Sequence, residues 1–232
     1  MSQSLSKSAP KSAKPRVAPA TQPKPRGKVI AKPAVAAPAP ARSKTLNEVR
    51  LIGGQLRRSK LPVANRPGLR PTPDRVRETL FNWLGADLSG WRCLDAFAGS
   101  GALGFEAASR GAADVLLLER DASLVLSLRA SQQRLKVENL RVEAFDALVW
   151  MARCAPACFE LVLLDPPFDA DLLPRALAVA APLVVEGGLV YAESPTPLND
   201  PNLPAGLAVF KHGHAGSVHY HLLRRSSPTP EQ

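Results

Sequence analysis

Four consecutive residues, Asp165-Pro166-Pro167-Phe168, directly follow the apolar run 161–164 and combine types that could position an amine. Prolines fix the backbone and remove two N–H donors, which leaves carbonyl oxygens free to accept hydrogen bonds. The carboxylate of Asp165 is a further acceptor, and the ring of Phe168 offers a flat face on which a base could stack. Two acceptors on the N–H bonds of a conjugated amine would favour a pyramidal, nucleophilic nitrogen through positioning and electrostatics alone. The alternative interpretation is a rigid turn after a core strand.

A glycine-rich segment lies earlier in the chain, where Gly99, Gly101 and Gly104 fit the pattern G-x-G-x-x-G. It follows an apolar run, and Glu119 ends the next one, which is the arrangement of a dinucleotide site. Glycines let a ligand approach the backbone, and a helix N-terminus favours an anionic group. Asp95, just ahead of the glycines, would instead repel a pyrophosphate and suit the ammonium and sulfonium of S-adenosylmethionine. An NAD-linked oxidoreductase stays open as an alternative.

The elements around these motifs alternate between short apolar strands and helical segments. We predict strands over 92–96, 115–119, 140–144, 161–164 and 189–192, and helices over 102–109, 123–136, 147–153 and 172–181. This βαβ alternation indicates a parallel sheet that is covered on both faces. Two further runs, 208–212 and 218–223, predict a terminal antiparallel hairpin that turns at 213–217. Both motifs fall at the carboxyl ends of strands, where open α/β sheets bind their ligands.

The segment before the first of these strands carries signals of its own. The runs 49–52 and 56–61 flank Gly53-Gly54, and Gly-Gly between two extended runs predicts a hairpin turn. Thr72 is then predicted as a helix N-cap, with Pro73 at the first helical position. The residues that fall on one face of this helix are Val76, Leu80, Trp83 and Leu84.

Charge is distributed unevenly along the chain, whose 232 residues carry a formal net charge of +10. Residues 1–45 contain 10 Lys and Arg residues and no acid, so the remaining 20 basic and 20 acidic residues balance. The same 45 residues are rich in Pro, Ala, Lys and Ser without an apolar period, which predicts a disordered cationic tail. We divide the chain into this tail (1–45), a β-hairpin extension (46–72), an α/β domain (73–225) and a flexible C-terminus (226–232).

A second concentration of positive charge lies between residues 50 and 77, which include eight basic residues and one acid. The simpler interpretation is a solvated hairpin. We favour contact with an RNA backbone, because phosphate neutralisation needs a local basic face rather than a basic protein. The candidate RNA-binding residues are Arg50, Arg57, Arg58, Lys60, Arg66 and Arg70.

Composition excludes several classes of protein. No apolar run approaches the roughly 18–20 residues that span a bilayer, so we expect no membrane association. Three cysteines, an odd and low count, oppose a disulfide framework and favour a reducing, cytoplasmic location. Histidines occur only at His212, His214, His219 and His221, whose spacing could form a metal site on a hairpin. No carboxylate or cysteine adjoins them, so we expect exposed edge-strand histidines and no metal.

These motifs together resemble the bacterial 16S ribosomal RNA (guanine-N2)-methyltransferase family, which modifies the helix-31 loop of the small ribosomal subunit. The resemblance covers residues 49–225, through the segments 50–54, 69–72, 74–84, 95–104 and 165–168. The tetrapeptide indicates an amino-methyltransferase, and the stretch 70–84 narrows the resemblance to this family. The implied fold is α/β, a Rossmann-like class I S-adenosylmethionine-dependent methyltransferase fold. It would have a seven-stranded, mostly parallel sheet with a C-terminal antiparallel hairpin, plus an N-terminal β-hairpin extension.

The resemblance also implies a set of cofactor-binding residues. Glu119 would accept hydrogen bonds from the ribose hydroxyls of S-adenosylmethionine, and Asp146 would meet the adenine amine. Arg77 and Glu78 would help to close the cofactor pocket. The residues that would line the methionine part are Asp95, Gly99 and Gly101, and Phe97 is a further candidate cofactor-binding residue.

The implied reaction is methyl transfer from S-adenosylmethionine to the exocyclic N2 amine of a guanine in 16S ribosomal RNA. The catalytic residues Asp165, Pro166, Pro167 and Phe168 would hold that guanine. The expected substrate is the assembled or assembling small subunit, and the expected state of the protein is a monomer. Amino-methyltransferases of DNA adenine N6 or protein glutamine N5 are a near alternative, although their tetrapeptide more often begins with Asn. A non-catalytic RNA-binding assembly factor is a more distant one.

Overall fold

The structure is a computed structural model that describes residues 47–64, 72–168 and 172–226. Its strands are β1 (Asn47–Arg50), β2 (Lys60–Val63), β3 (Arg92–Asp95), β4 (Asp114–Glu119), β5 (Leu140–Ala144), β6 (Phe159–Leu164), β7 (Val184–Ser194), β8 (Leu207–Ala215) and β9 (Val218–Arg225). Its helices are α1 (Asp74–Leu84), α2 (Ala102–Ser109), α3 (Ala122–Leu135), α4 (Ala147–Met151) and α5 (Leu172–Ala180). Within the described ranges, no helix is long and apolar enough to cross a membrane.

Seven strands form one sheet in the order β5-β4-β3-β6-β7-β9-β8. The five strands from β5 to β7 are parallel, whereas β9 runs antiparallel to both β7 and β8. The central strands read as nearly continuous apolar runs because both faces of a parallel sheet are buried. This arrangement confirms the predicted fold, a mostly parallel sheet that ends in an antiparallel hairpin.

Alternate residues of each strand supply two separate cores, as the pleat of a strand requires. In β4, Leu117 packs in the cluster that includes α1, α2, α3 and the N-terminal extension. Its neighbour Leu118 packs in the other cluster, with α4 and α5. The same alternation separates Leu163 from Leu164 in β6. The extension therefore covers one face of the sheet together with three helices.

The N-terminal extension is a pair of antiparallel strands, but its connection differs from the prediction. Arg50 pairs with Lys60, so residues 51–59 lie between the strands and the predicted two-residue turn at Gly53-Gly54 is wrong. The connecting residues bond to α2 instead, where the amide of Gln55 donates to the carbonyl of Ser109 at 2.7 Å. A Cβ on Gly54 would lie 1.8 Å from that carbonyl oxygen. The glycine is required for this close approach to α2.

Helix α1 buries the predicted apolar face, with Val76, Leu80 and Leu84 inside the core. The predicted N-cap is wrong by one residue, because the helix begins at Asp74 and Pro73 stands at the cap position without a side-chain hydrogen bond. The hydroxyl of Thr72 donates to Glu193 of β7 instead, at 2.9 Å. Glu193, a distant acceptor, has replaced the backbone N–H donor that a capping hydroxyl would use.

The C-terminal hairpin corrects the prediction that all four histidines are exposed. Strand β9 lies inside the sheet, between β7 and β8. His221 of β9 is buried, its Nε2 accepts a hydrogen bond from the amide of Leu198 at 3.0 Å, and burial lowers its pKa to about 4. His212 and His214 lie exposed on the edge strand β8. In the described part of the chain, no group of three or more His, Cys, Asp or Glu side chains is placed to hold a metal ion.

Candidate active site

Five carboxylates lie along one edge of the sheet, at the carboxyl ends of five adjacent parallel strands. In the order of the sheet they are Asp146 after β5, Glu119 of β4, Asp95 of β3, Asp165 after β6 and Glu193 of β7. The sequence predicted a role for four of them, and Glu193 was missed. This edge is the place where open parallel sheets bind ligands.

The glycine-rich loop holds Asp95 against the first turn of α2. Oδ2 of Asp95 accepts a 2.9 Å hydrogen bond from the amide of Gly104. A Cβ on Gly104 would lie 3.0 Å from that oxygen and 2.6 Å from Leu117, so only glycine allows the helix to approach the strand this closely. Gly101 has a φ of +80°, and a Cβ there would lie 2.6 Å from Leu128. The glycines predicted from the motif are thus needed for the shape of the loop itself.

Asp95 is a buried carboxylate without a described positive partner. Its side chain is 2 % exposed, and no described Lys or Arg forms an ion pair with it. Its pKa is raised to about 7, mainly by burial and in smaller part by the charge of Glu119, while the hydrogen bond from Gly104 opposes the shift. A cation placed beside Asp95 would restore the ionised form, because opposite charges favour each other more strongly in a low-dielectric site.

Glu119 bridges the glycine-rich loop and the turn after β4. Its Oε2 accepts from the amide of Gly99 at 2.9 Å, and its Oε1 accepts from the amide of Asp121 at 2.8 Å. Each carboxylate oxygen has a second lone pair, so the partly buried side chain can still accept hydrogen bonds from a ligand hydroxyl. Glu119 therefore shapes the loop and stays available to a ligand.

The end of β5 lies beside Glu119. The amide of Phe145 donates to the carbonyl oxygen of Glu119 at 3.1 Å, and the Phe145 ring is 38 % exposed. Asp146 is exposed and caps α4, since its Oδ1 accepts from the amide of Val149 at 3.1 Å. Phe97, in the glycine-rich loop, is partly exposed and packs against the core on the α4 and α5 side. The structure thus brings Asp146 and Phe145 to the same sheet edge as Glu119.

The tetrapeptide after β6 has an inner and an outer part. Pro166 is buried, Asp165 is partly exposed, and Pro167 and Phe168 face outward, with Phe168 50 % exposed. A buried proline fixes the turn, and an exposed phenylalanine leaves a ring face free for stacking. The role of the tetrapeptide in holding a base stays a prediction.

A buried network behind Asp165 could not be recognised from the sequence motifs. The hydroxyl of Thr72 donates to Oε1 of Glu193 at 2.9 Å and lies 3.4 Å from Oδ2 of Asp165. The hydroxyl of Tyr191 donates to the same Oε1 at 2.8 Å. Burial raises the pKa of Asp165 well above its usual range, with a further contribution from the charge of Glu193, and burial also raises the pKa of Glu193. The available sequence signal was an acidic residue at the end of an apolar strand.

The two residues predicted to close the cofactor pocket lie in different environments. Arg77 is fully buried, and its Nε and Nη2 donate to the carbonyl oxygens of Thr72 and Arg50 at 3.3 and 2.7 Å. It therefore fixes the residue that contacts Glu193 and Asp165. Glu78 is exposed on α1 and forms no hydrogen bond or ion pair with the other described site residues. A direct role in cofactor binding stays a prediction for both.

Four of the predicted RNA-binding residues lie in the described part of the extension, and all four are exposed. Lys60 pairs with Glu48 at 2.6 Å, which neutralises part of its charge. Arg50, Arg57 and Arg58 form no ion pair with a described acid. Arg66 and Arg70 lie outside the described residues.

Comparisons with known proteins identify the family of this chain. The family model described as conserved hypothetical protein 95 matches residues 49–224. Ribosomal RNA small subunit methyltransferase D of Escherichia coli K12 is 41% identical over 182 residues, which cover 78% of this chain and 91% of that protein. The protein of the same name from Haemophilus influenzae is 40% identical over 182 residues, covering 75% of this chain and 93% of its own length.

A solved structure supports the same assignment. The structure of yhhF from Escherichia coli has a TM-score of 0.69 and 41% sequence identity, and the match covers 78% of this chain and all of that one. The sequence and structure comparisons together confirm the family resemblance drawn from the motifs. The chain belongs to the family described as conserved hypothetical protein 95, together with the ribosomal RNA small subunit methyltransferase D proteins.

Proposed function

We propose that this protein transfers a methyl group from S-adenosylmethionine to the exocyclic N2 amine of a guanine in the helix-31 loop of 16S ribosomal RNA. One observation carries the proposal: Asp165 and Asp95 lie at the ends of two adjacent strands, β6 and β3. The first begins a tetrapeptide suited to an amine, and the second lies in a cleft suited to a cation. The names of the relatives supply the class of substrate, ribosomal RNA of the small subunit.

The residues present fit S-adenosylmethionine better than a dinucleotide. The buried carboxylate of Asp95 has a raised pKa and no described cation beside it, so a positive ligand would be stabilised and a pyrophosphate repelled. Asp95, Gly99 and Gly101 would hold the methionine part, Glu119 the ribose, and Asp146 with Phe145 the adenine. When bound, the cofactor supplies an electrophilic methyl group on a sulfonium.

The chain's own contribution is to hold and orient the target amine. Phe168 would stack on the base, while Asp165 and the carbonyl oxygen of Pro166 would accept the two N–H bonds of the amine. These two acceptors favour a pyramidal nitrogen whose lone pair is directed at the methyl carbon. Buried Pro166 keeps the acceptor carbonyl in place and admits no competing N–H donor at that position.

RNA would approach from the N-terminal extension. Arg50, Arg57 and Arg58 are exposed there without described acidic partners, and phosphate contacts position a nucleic acid without reading its sequence. The extension packs against the C-terminal half of α2, the helix whose N-terminus follows the glycine-rich loop. We expect the particle, rather than naked RNA, to present the target base.

The test is methylation of a defined substrate by the full chain. Small subunits and naked 16S ribosomal RNA, both from a strain that lacks this protein, are incubated with radiolabelled S-adenosylmethionine, digested to nucleosides and mapped by mass spectrometry. We expect one N2-methylguanosine in the helix-31 loop, and its loss in Asp165→Ala, which removes the acceptor. Asp87→Ala, an exposed site bonded only to Ser89 among the described residues, is the matched control and should retain activity. N6-methyladenosine, another position or no methylation would overturn the proposal.

A further inference from the structure

The side chain of Thr72 lies between two carboxylates that belong to neighbouring strands. Its Oγ1 is 2.9 Å from Oε1 of Glu193 and 3.4 Å from Oδ2 of Asp165. Thr72 and Glu193 are each 5 % exposed, whereas Asp165 reaches the cleft. The three side chains therefore connect the surface that would face a substrate with a carboxylate inside the protein.

The hydrogen-bond distances give this chain of groups a direction. A threonine hydroxyl carries one proton, and the shorter contact places that proton toward Glu193. A lone pair of Oγ1 is then left to face Asp165, where it can accept a proton. Glu193 Oε1 also receives the hydroxyl of Tyr191 at 2.8 Å, and two donors on one oxygen favour the ionised form of this carboxyl.

The surroundings of the pair contain further acids and the guanidinium of Arg77, which bonds to the carbonyl oxygen of Thr72 and to neither carboxylate. Asp95 faces Asp165 from β3, Tyr191 lies on the same strand as Glu193, and Tyr220 of β9 lies close to Tyr191. No described Lys, Arg or His bonds to Asp165 or Glu193. Two buried carboxyls this close titrate as a pair, because ionising one opposes ionising the other. Asp165, with fewer donors, is the member that retains the shared proton.

We propose that Glu193 is the final acceptor of the proton that the target amine loses, and that the proton reaches it through Asp165 and the hydroxyl of Thr72. This inference rests on the proposed function of the same site. Glu193 would not touch the substrate, so it acts as a proton-accepting and positioning residue behind Asp165.

The atoms and charges balance along this route. The amine nitrogen forms its bond to the methyl carbon while the carbon–sulfur bond breaks and sulfur keeps the electron pair. The alkylated nitrogen then carries one proton too many and gives it to Oδ1 of Asp165. Oδ2 of Asp165 passes its own proton to Thr72, and Thr72 passes its proton to Glu193. Asp165 and Thr72 end with the proton count they began with, and Glu193 becomes neutral.

The distance of 3.4 Å between Thr72 and Asp165 is longer than an ordinary O–H···O hydrogen bond. Catalytic hydrogen bonds are often long in ligand-free structures and shorten in the complex. Asp165 is partly exposed and starts the outward-facing part of the tetrapeptide, so a bound base would contact the side of this carboxyl that faces the cleft. The relay would therefore be complete only with the substrate in place.

The first test compares the pH dependence of kcat in four proteins: wild type, Glu193→Gln, Thr72→Val and Thr72→Ser. In the wild type, kcat should rise with pH until the acceptor is ionised. Glu193→Gln and Thr72→Val should lower kcat about 100-fold, the lower end of the usual contribution of general acid–base catalysis, and flatten this rise. Thr72→Ser restores the hydroxyl and should recover most of the rate that Thr72→Val loses. A role in stability alone would leave the shape of the profile unchanged.

The second test needs neither cofactor nor RNA. Side-chain carboxyl carbons of Asp and Glu are labelled with carbon-13 in the ligand-free chain and titrated by NMR, with thermal unfolding as a check of the fold. Removing the charge of Glu193 in Glu193→Gln should lower the pH at which Asp165 loses its proton, since that charge raises the pKa of Asp165. Tyr191→Phe removes a donor outside the route and should raise the pKa of Glu193, since the hydrogen bond from Tyr191 lowers it. In the kcat assay of the first test, the rise of kcat with pH should remain in this variant.

The outcomes separate the two proposals. An unchanged Asp165 titration in Glu193→Gln would overturn the proton route alone. So would a kcat–pH profile of the same shape in Glu193→Gln and Thr72→Val as in the wild type, when the wild type methylates the subunit. A wild type that methylates no small-subunit RNA overturns the proposed function, and the proton route falls with it, whatever the NMR titration shows.

Discussion

The amide of Gly104 in α2 donates a 2.9 Å hydrogen bond to Oδ2 of Asp95, the last residue of β3. This contact fixes the orientation of a buried carboxylate at the point where the cleft would receive a cation. It also brings the helix so close to the strand that a Cβ on Gly104 would lie 3.0 Å from the same oxygen. The third glycine of the motif is therefore a packing requirement of the proposed cofactor site.

Gly104→Ala is expected to weaken S-adenosylmethionine binding and to reduce the free energy of unfolding by about 1–3 kcal/mol, the usual cost of an overpacked core. Calorimetric titration and thermal unfolding measure the two effects. Gly216→Ala is the matched control, because this turn glycine has a φ of +62° and open space around it. It should cost about 1 kcal/mol in stability and leave binding unchanged. Wild-type affinity in Gly104→Ala would contradict the assigned role of the contact.

The raised pKa of Asp95 predicts a specific pH dependence of stability. Its folded-state pKa of about 7 exceeds the ordinary value of 3.8, so the folded protein binds more protons between these pH values. The free energy of unfolding of the ligand-free chain should therefore fall as the pH rises from about 4 to about 7, and Asp95→Asn should reduce this fall. Denaturant titrations at several pH values measure the difference between the two proteins.

A matched acid gives the opposite sign. The pKa of exposed Asp87 is lowered by its hydrogen bonds from Ser89. Asp87→Asn should therefore remove a small contribution to the free energy of unfolding that increases with pH. Binding of S-adenosylmethionine should also strengthen as the pH rises toward 7, because a cation favours the ionised form of Asp95. Affinity that is independent of pH between 5 and 8, the range around the Asp95 pKa of about 7, would argue against contact between Asp95 and the cofactor.

Glu106 of α2 joins the N-terminal extension to the rest of the protein. Its fully buried carboxylate accepts from the amides of Ile52 and Gly53, both at 2.8 Å, and pairs with Arg77 and Arg110. Glu106→Gln leaves buried Arg77 without full compensation and is expected to cost about 3–5 kcal/mol. Chemical unfolding measures this loss, and hydrogen exchange should show faster opening of residues 51–59.

An exposed pair provides the control for this change. Arg92 and Glu160 contact each other at 2.7 Å but are 45% and 26% exposed, so Glu160→Gln should cost less than about 1 kcal/mol. Equal losses in Glu106→Gln and Glu160→Gln would show that the buried network does not hold the extension in place.

The exposed arginines of the extension should set the salt dependence of RNA binding. Arg57→Ala combined with Arg58→Ala is expected to weaken binding to small subunits and to reduce the slope of log affinity against log salt by about 0.7–0.9 for each lost phosphate contact. Arg153→Ala, which removes an exposed charge on the α4 side of the sheet, should change neither quantity. Filter binding at several salt concentrations decides the question, and an unchanged slope in the double variant would exclude phosphate contact.

Residues 1–45 should add non-specific affinity for RNA, since they carry 10 basic residues and no acid. Deleting them is expected to weaken binding mainly at low salt and to leave the saturated rate of methylation unchanged. Binding at 50 and about 200 mM salt, with kcat measured on saturating subunits, tests both parts. A large fall in kcat would place these residues in the active complex.

Much of the fold and the site could be predicted because the signals are local. The alternation of apolar strands and helices gave the order of elements, and helix α2 (Ala102–Ser109) has the bounds that the sequence predicted. Asp95, Glu119, Asp146 and Asp165 follow or end apolar runs, and parallel strands bring such positions to one edge. The errors at Gly53-Gly54 and Thr72 arose where a local turn or cap signal competed with a distant hydrogen-bond partner.

The sequence by itself determined the alternation of strands and helices and the form of the glycine-rich loop, because each depends on neighbours in the chain. The tertiary structure alone decided that Thr72 meets Glu193 across 121 residues, that Glu106 captures the backbone of the extension, and that His221 is buried. Such contacts have no period in the sequence. They exist because a buried polar group takes whichever partner the fold brings within reach, since leaving it unpaired costs more than any local preference contributes.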